Sequence, residues 1–310
     1  MVSVLDLFCG AGGLSLGFKK AGFDITGADK SVKAGETYEN NDIGNFRHVD
    51  LSKDLIKGDF DVIVGGPPCK PWSSVNLTRR KKRHKDYMLL SRFFNHVEEN
   101  VPKAFMFENV PTIKNDIELN LQLNKLEKSF GYTVKKQIVS YYDYNACTMR
   151  RRLIAFGLHD ADSNPFFGYL EEKYKRIDKK SNVKSAIGYL RDAKEGCEAD
   201  HEWPQLKTIY RYMNYYKTGK FGWYILRWNK PAPSFGNIMK TYILHPDSLR
   251  RKEKRVISVK EALLIMGFPK NFHFKEGEGL GIRYQMVVDS VSPVFSYAAA
   301  RCIKNILSSY

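Results

Sequence analysis

Over the first 160 residues two kinds of apolar pattern alternate, and this alternation restricts the fold more than any other feature of the chain. Runs of strand character fall at 2–7, 24–29, 46–49, 61–65, 103–108, 132–140 and 151–157. Segments with helical spacing fall at 13–21, 31–40, 86–100 and 116–130, and Gly22 and Gly131 stand where helices stop. Alternation of this kind builds βαβ units, whose crossovers cover both faces of a mostly parallel sheet. The predicted fold is therefore α/β and doubly wound, with ligands gathered at the carboxyl ends of the strands.

From about residue 158 to 254 the pattern dissolves. Tyr, Trp, Lys and Arg crowd this stretch, its elements are short, and Pro231, Pro233 and Pro246 interrupt it. We expect a second, smaller domain of irregular, β-rich character. Helical spacing returns at 258–266, where Ser258 and Glu261 are spaced as a capping box and Gly267 as a stop, and again over 291–308. The last helix is expected to return to the sheet. One domain would then combine 1–157 with 283–310, and the other would be 158–282.

Charge and cysteine usage narrow the function. Fifty Lys and Arg against 34 Asp and Glu leave a net +16, far more than solubility requires, which points to a polyanionic partner. The five cysteines are scattered, odd in number and free of any C-x-x-C pair. Neither a disulfide framework nor a metal site is expected, and a reducing cytoplasm is. No apolar run approaches the ~18 residues that span a membrane, and strand pattern begins at residue 2 with no signal-peptide layout before it.

Several strand ends carry chemistry. Gly65-Gly66-Pro67-Pro68-Cys69-Lys70-Pro71-Trp72-Ser73 follows a short apolar run, so Cys69 stands on a turn stiffened by proline just past a strand. A thiol presented there is a candidate nucleophile; the competing reading is a small buried cysteine that caps the strand. Asp6-Leu7-Phe8-Cys9-Gly10-Ala11-Gly12-Gly13-Leu14 is a strand, a glycine-rich turn and a helix start, where free N–H groups face a ligand. Its Gly-x-Gly-Gly spacing, with no P-loop lysine after it, disfavours NAD and ATP. Asp29 ends the second strand, where an acid takes ribose hydroxyls, and Asp50 ends the third, where a carboxylate accepts from an adenine amino group. Together these strand ends point to an adenosine-type cofactor without phosphates. Glu108 ends the fifth strand on the same edge as Cys69, and a nucleophile beside a proton donor is a catalytic arrangement.

Six motifs occur in order: Phe8-Cys9-Gly10-Ala11-Gly12-Gly13, Pro67-Pro68-Cys69, Glu108-Asn109-Val110, Thr148-Met149-Arg150-Arg151-Arg152, Arg255…Glu261…Gly267-Phe268-Pro269, and Gln285-Met286-Val287-Val288-Asp289-Ser290-Val291. Together they resemble the DNA (cytosine-5)-methyltransferases, of the compact size typical of restriction–modification systems. The resemblance spans nearly the whole chain apart from 158–254. It implies S-adenosylmethionine as cofactor and a flipped-out cytosine in double-stranded DNA as substrate. Cys69 would attack ring carbon 6, Glu108 would donate to the ring nitrogen, and Arg150 and Arg152 would bind the flipped base and organise Cys69. Read from the sequence alone, those arginines also fit phosphate contact or a solvated strand end. Phe8, Gly10, Ala11, Gly12, Gly13, Leu14, Asp29, Lys30, Asp50, Leu51, Pro68, Leu89, Asp289, Ser290 and Val291 would surround the cofactor.

By the same resemblance, 158–254 occupies the place of the target-recognition region, with Asn237 and Lys240 facing DNA. Ser73, Arg79, Arg80, Lys81, Lys82, Arg83 and Lys85 would belong to a mobile catalytic loop that grips phosphates. A like-charge run is also simply a solvated loop. The enzyme would act as a monomer in a prokaryotic cytoplasm, on nucleoid DNA, and share its site with a restriction endonuclease it need not bind. The chain departs from the family pattern at Thr148, where Gln is usual, at Val288-Asp289, where Gly-Asn is common, and at Leu264-Ile265-Met266. Two other functions compete: an RNA (tRNA) cytosine-5 methyltransferase, and a silent nucleic-acid-binding regulator on the same fold. Replacing the six basic residues between Arg79 and Lys85 by serine is expected to weaken DNA binding and flatten its salt dependence, by roughly 0.9 in log–log slope per lost phosphate contact. An unchanged slope in a salt titration would mean that the loop does not clamp phosphates.

Overall fold

All seven expected strands enter one sheet: β1 (Ser3–Leu7), β2 (Asp24–Asp29), β3 (Asn45–His48), β4 (Val62–Gly65), β5 (Ala104–Asn109), β6 (Tyr132–Ser140) and β7 (Arg151–His159). The structure is a computed structural model that describes residues 1–72, 84–176, 181–218, 222–251 and 254–309. The strand order is β3-β2-β1-β4-β5-β7-β6. Pairs from β3 through β5 are parallel, whereas β7 runs antiparallel to both β5 and β6. Every residue of β4 and β5 is buried, as expected of central strands covered on both faces.

Four helices connect these strands: α1 (Gly13–Lys20), α2 (Val32–Asn40), α3 (Leu89–Asn100) and α4 (Ile117–Ser129). The Ser31 side chain caps α2 and the Asp116 side chain caps α4, each accepting a backbone N–H of the first turn. Phe93 and Phe94 of α3 pack on Phe105 and Phe107 of β5, which makes an aromatic layer on one face of the sheet. The last helix in the chain, α12 (Pro293–Leu307), belongs to the core on the other face.

The segment after β7 departs from expectation. It holds α5 (Pro165–Tyr174), α6 (Val183–Ile187), α7 (Thr208–Arg211), α8 (Met213–Thr218) and α9 (Ile238–Thr241), followed by α10 (Val259–Met266) and α11 (Leu280–Asp289). Among the described residues its β structure, beyond the end of β7, is limited to isolated bridges such as Ile225 with Leu244 and Leu244 with Val256. The expected β-rich character is therefore corrected to short helices and irregular chain. The apolar runs here are too short, and too interrupted by Pro231, Pro233 and Pro246, to sustain a ladder. The aromatic side chains are used in packing instead: Tyr212, Tyr215, Tyr216 and Tyr242 surround Trp223 at centroid distances of 4.6–5.6 Å. The first of these helices belongs with the sheet, since α5 packs on α12 and Phe166 stacks on Phe156 of β7 at 4.2 Å. Helix α11 lies outside the expected elements, because Gly277, Gly279 and Gly281 around its start read as loop.

Helix α12 lies along α1. The Ser296 hydroxyl donates to the Leu14 carbonyl, and Lys304 Nζ donates to the Ala21 carbonyl at 2.9 Å. A Cβ on Gly17 would fall 2.3 Å from the Tyr297 nitrogen, so the two backbones meet where α1 has no side chain. No helix among the described residues is long and apolar enough to cross a membrane. Gly17→Ala is expected to lower the unfolding free energy by about 1–3 kcal/mol through overpacking, read as a shifted urea midpoint; an unshifted midpoint would show that α12 yields easily.

Candidate active site

Two neighbouring strands place Cys69 and Glu108 at one sheet edge. β4 stops at Gly65 and the chain turns through Gly66-Pro67-Pro68 to Cys69, which is partly exposed. Residues at and beyond the end of β5 pin this turn. Asn109 Nδ2 donates to the Pro67 carbonyl at 3.0 Å, and the Thr112 hydroxyl donates to the Trp72 carbonyl at 2.6 Å. Buried Trp72 donates its indole N–H to Asp116 at 2.9 Å, while its backbone N–H donates to the Cys69 carbonyl. The rigidity that the sequence suggests from proline alone thus has a second source in Asn109, Thr112 and Asp116.

The reversal of β7 completes the site. Because β7 is antiparallel to β5, its first residues lie at the carboxyl edge of the sheet, where Glu108 pairs with Ile154. Arg152 Nε therefore reaches Glu108 Oε1 at 2.9 Å. The same oxygen accepts the Tyr141 hydroxyl at 2.9 Å; this residue follows β6 and belongs to none of the six motifs. Its only signal in the sequence is its place between a strand and the arginine motif. Arg150 and Arg152 are both buried, which excludes the solvated strand end. Arg150 donates to the Val288 carbonyl at the end of α11, and among the described residues its buried Nε has no hydrogen-bond partner.

Charges around Cys69 oppose one another. Burial pushes its thiol above the ordinary range; Arg152 pulls it down, Asp289 pushes it up, Arg150 pulls it down and Glu108 pushes it up, in decreasing order. Asp289 is exposed at the end of α11 and accepts from Gln285 Nε2 at 2.8 Å. Two other departures from the family pattern also find places. Thr148 is buried, its hydroxyl donating to the Pro233 carbonyl at 3.3 Å, and Val288 supplies the carbonyl that holds Arg150.

The glycine-rich turn lies at the end of β1, two strands from β5 and Glu108. Phe8, Gly10 and Gly12 take positive φ of 59°, 52° and 75°. A Cβ on Gly10 would meet nothing within 4 Å, so the turn is open on that side, whereas one on Gly13 would lie 2.2 Å from the Val291 carbonyl oxygen. Asp29 ties this turn to β2, accepting the Gly10 N–H at 3.1 Å and the Ser31 N–H at 2.9 Å, one on each oxygen. Each oxygen keeps a lone pair for a hydroxyl donor. Asp50 accepts from the Ser52 hydroxyl and N–H, which hold its carboxyl below the usual range. Beneath the turn, buried Asp6 accepts from Ser15 at 2.6 Å, and burial lifts its pKa to about 7. Ala11, Leu14, Leu51, Leu89, Ser290 and Val291 are buried, Pro68 is half-buried, and Lys30 is exposed. An open backbone turn flanked by two carboxylates fits a nucleoside that carries hydroxyls and an amino group.

Residues expected to face DNA divide into three groups. Ser73, Arg79, Arg80, Lys81, Lys82 and Arg83 lie outside the described residues, whereas Lys85 and Lys240 are exposed. Asn237 is engaged within the protein: its Oδ1 caps α9 through the Met239 N–H, and its Nδ2 donates to the Gly281 carbonyl and to Gln285. Both of its N–H donors are thereby used. A cavity of about 660 Å³, lined in part by Lys217, Trp223, Arg227, Trp228 and Arg250, opens in the same segment.

This chain has extensive likeness to known proteins. The family model described as C-5 cytosine-specific DNA methylase matches residues 2–305. The type II methyltransferase M.FnuDI of Fusobacterium nucleatum is 29% identical over 343 residues, covering 99% of this chain and 95% of that protein. The type II methyltransferase M.HindV of Haemophilus influenzae is 30% identical over 283 residues, covering 87% of this chain and 86% of that one. Among solved structures, the Entamoeba histolytica methyltransferase EhMeth shares the fold with a TM-score of 0.75 at 18% identity, over 99% of each chain.

Asp289→Asn removes a negative charge that raises the Cys69 thiol. The variant is expected to alkylate faster at Cys69 than the wild type at pH 8, because more thiolate is present. Mass spectrometry of the Cys69 peptide after a timed iodoacetamide pulse measures this, and equal rates would show that Asp289 does not act on the thiol.

Proposed function

Because the chain belongs to the C-5 cytosine-specific DNA methylases and is therefore a DNA (cytosine-5)-methyltransferase, we propose that it methylates a flipped-out cytosine in duplex DNA through a covalent Cys69 adduct. The observation that carries this reading is the meeting of Cys69, Glu108 and Arg152 at the ends of β4, β5 and β7.

Carbon 5 of cytosine is a poor nucleophile, and the site supplies what activates it. Cys69 Sγ bonds to carbon 6, the ring electrons move toward the ring nitrogen, and Glu108 gives that nitrogen its proton. The product is an enamine-like adduct whose carbon 5 is nucleophilic. S-adenosylmethionine, held by Phe8, Gly10, Asp29, Asp50 and their neighbours, supplies an electrophilic methyl group when bound. Loss of the carbon-5 proton then breaks the sulfur–carbon bond and returns Cys69. Arg150 donates to the base, a role supported by its buried Nε, unpartnered among the described residues, and Arg152 pairs with Glu108. These ring atoms are out of reach inside a duplex, so the base leaves the stack at a cost of a few kcal/mol.

The +16 net charge supports DNA as the partner, and the names of the similar type II methyltransferases support a role in restriction–modification. The segment within 158–282 is the proposed target reader, with 1–157 and 283–310 as the catalytic part. Its aromatic and cationic cavity has the chemistry of a nucleic-acid surface. The enzyme acts as a cytoplasmic monomer, and a restriction endonuclease for the same site need not bind it.

The test is a denaturing gel of protein mixed with S-adenosylmethionine and duplex DNA carrying 5-fluorocytosine. The wild type is expected to form a covalent complex and Cys69→Ser none. An adduct that survives the substitution removes Cys69 from the mechanism, and methyl transfer to total tRNA but not to DNA overturns the DNA reading.

A further inference from the structure

We propose that Tyr141 is a positioning residue of the reaction, its hydroxyl and Arg152 together filling Glu108 Oε1 so that the proton Glu108 delivers is carried on Oε2. The inference rests on the mechanism proposed above and adds to it a residue outside the six motifs.

A carboxyl oxygen has two lone pairs. On Oε1 of Glu108 one is taken by the Tyr141 hydroxyl at 2.9 Å, and the Arg152 guanidinium forms an ion pair with the same oxygen at 2.9 Å. The guanidinium is cationic, so a proton on Oε1 would lie against its charge. Tyr141 is a dependable donor as well. Burial first, and then the neighbouring Glu108 charge, push its pKa well above the ordinary value, so the hydroxyl keeps its proton. With Oε1 filled, Oε2 is the oxygen left to take and give a proton.

Oε2 also points the right way. A Cβ on Gly66 would lie 2.8 Å from Oε2, so this oxygen sits over the turn that leads to Cys69, at a residue with no side chain to cover it. Protonation at Oε2 therefore places the acid on the nucleophile's side of the carboxyl group.

Tyr141 is fully buried and held on three sides. Its ring stacks on Phe295 of α12 at 5.0 Å and 27°. Its N–H donates to the Arg150 carbonyl at 2.9 Å, and its carbonyl accepts the Ala146 N–H at 3.1 Å. Packing of this kind is available to phenylalanine without the cost of burying a hydroxyl. The hydroxyl is thus explained by its partner, Glu108. The same residue anchors the arginine loop and orients the acid, which couples the two parts of the site.

Tyr141→Phe keeps the ring and removes only the donor. In steady-state assays on duplex DNA, kcat is expected to fall about tenfold, as for loss of one hydrogen bond to a charged group, with the KM for DNA and the melting temperature unchanged. Single-turnover adduct formation on 5-fluorocytosine DNA is then compared for wild type, Tyr141→Phe, Glu108→Gln and the double variant. If Tyr141 acts through Glu108, the substitution slows the wild type and has little further effect in Glu108→Gln. A Tyr141→Phe enzyme with wild-type kcat, or one that loses the same factor in the Glu108→Gln background, overturns the proposal. A wild-type enzyme that forms no adduct overturns the underlying mechanism, and this role with it, a result distinct from either.

Discussion

The contact between Arg152 and Glu108 is the constraint on which the site depends. Both groups are buried at the sheet edge, where an unpaired charge is strongly disfavoured. Each therefore needs the other, and their meeting requires β7 to run against β5. The reversed strand brings Arg150 and Arg152 to the edge where β4 leaves Cys69, and β6, which runs parallel to β5, ends there before Tyr141. A fully parallel sheet would send the start of β7 to the opposite edge, and the acid would lose this cation.

The same edge divides its work between two neighbourhoods. Around β4, β5 and β7 the groups are cationic and acidic together, arranged about a thiol that burial and Asp289 hold protonated while Arg152 and Arg150 oppose them. Around β1, β2 and β3 the chain offers backbone N–H groups and carboxylates, with Asp29 tying the glycine turn to β2. Helix α12 braces that turn from behind, because α1 presents backbone rather than side chain at Gly17, and the chain that leads into α12 meets α1 at Gly13. The last helix in the sequence is in this way part of the support of the first motif.

Much of this is legible in the residues. All seven strands stand close to where the sequence places them, most plainly the central β4 and β5, which are buried throughout and leave an apolar run. Cys69 and Glu108 are legible because each directly follows or ends such a run. The segment after β7 is not. Its aromatic residues favour strands in isolation, but prolines and short runs leave them to cluster around Trp223, so packing overrides propensity. Asn237 illustrates the same limit: an amide that reads as a base contact is used to cap α9 and to bridge to α11.

The sequence by itself determined the α/β alternation, the order of the motifs and the residue types at each strand end. These are local properties, written in periodicity and in the chemistry of single side chains. Tertiary structure decided which lone pair meets which donor. Tyr141 belongs to no motif and lies 33 residues from Glu108, yet its hydroxyl is 2.9 Å from that carboxylate. They meet because β6, antiparallel to β7 and so parallel to β5, ends at the same sheet edge as β5, and which strands share an edge depends on distant partners rather than on the residues of the strand itself.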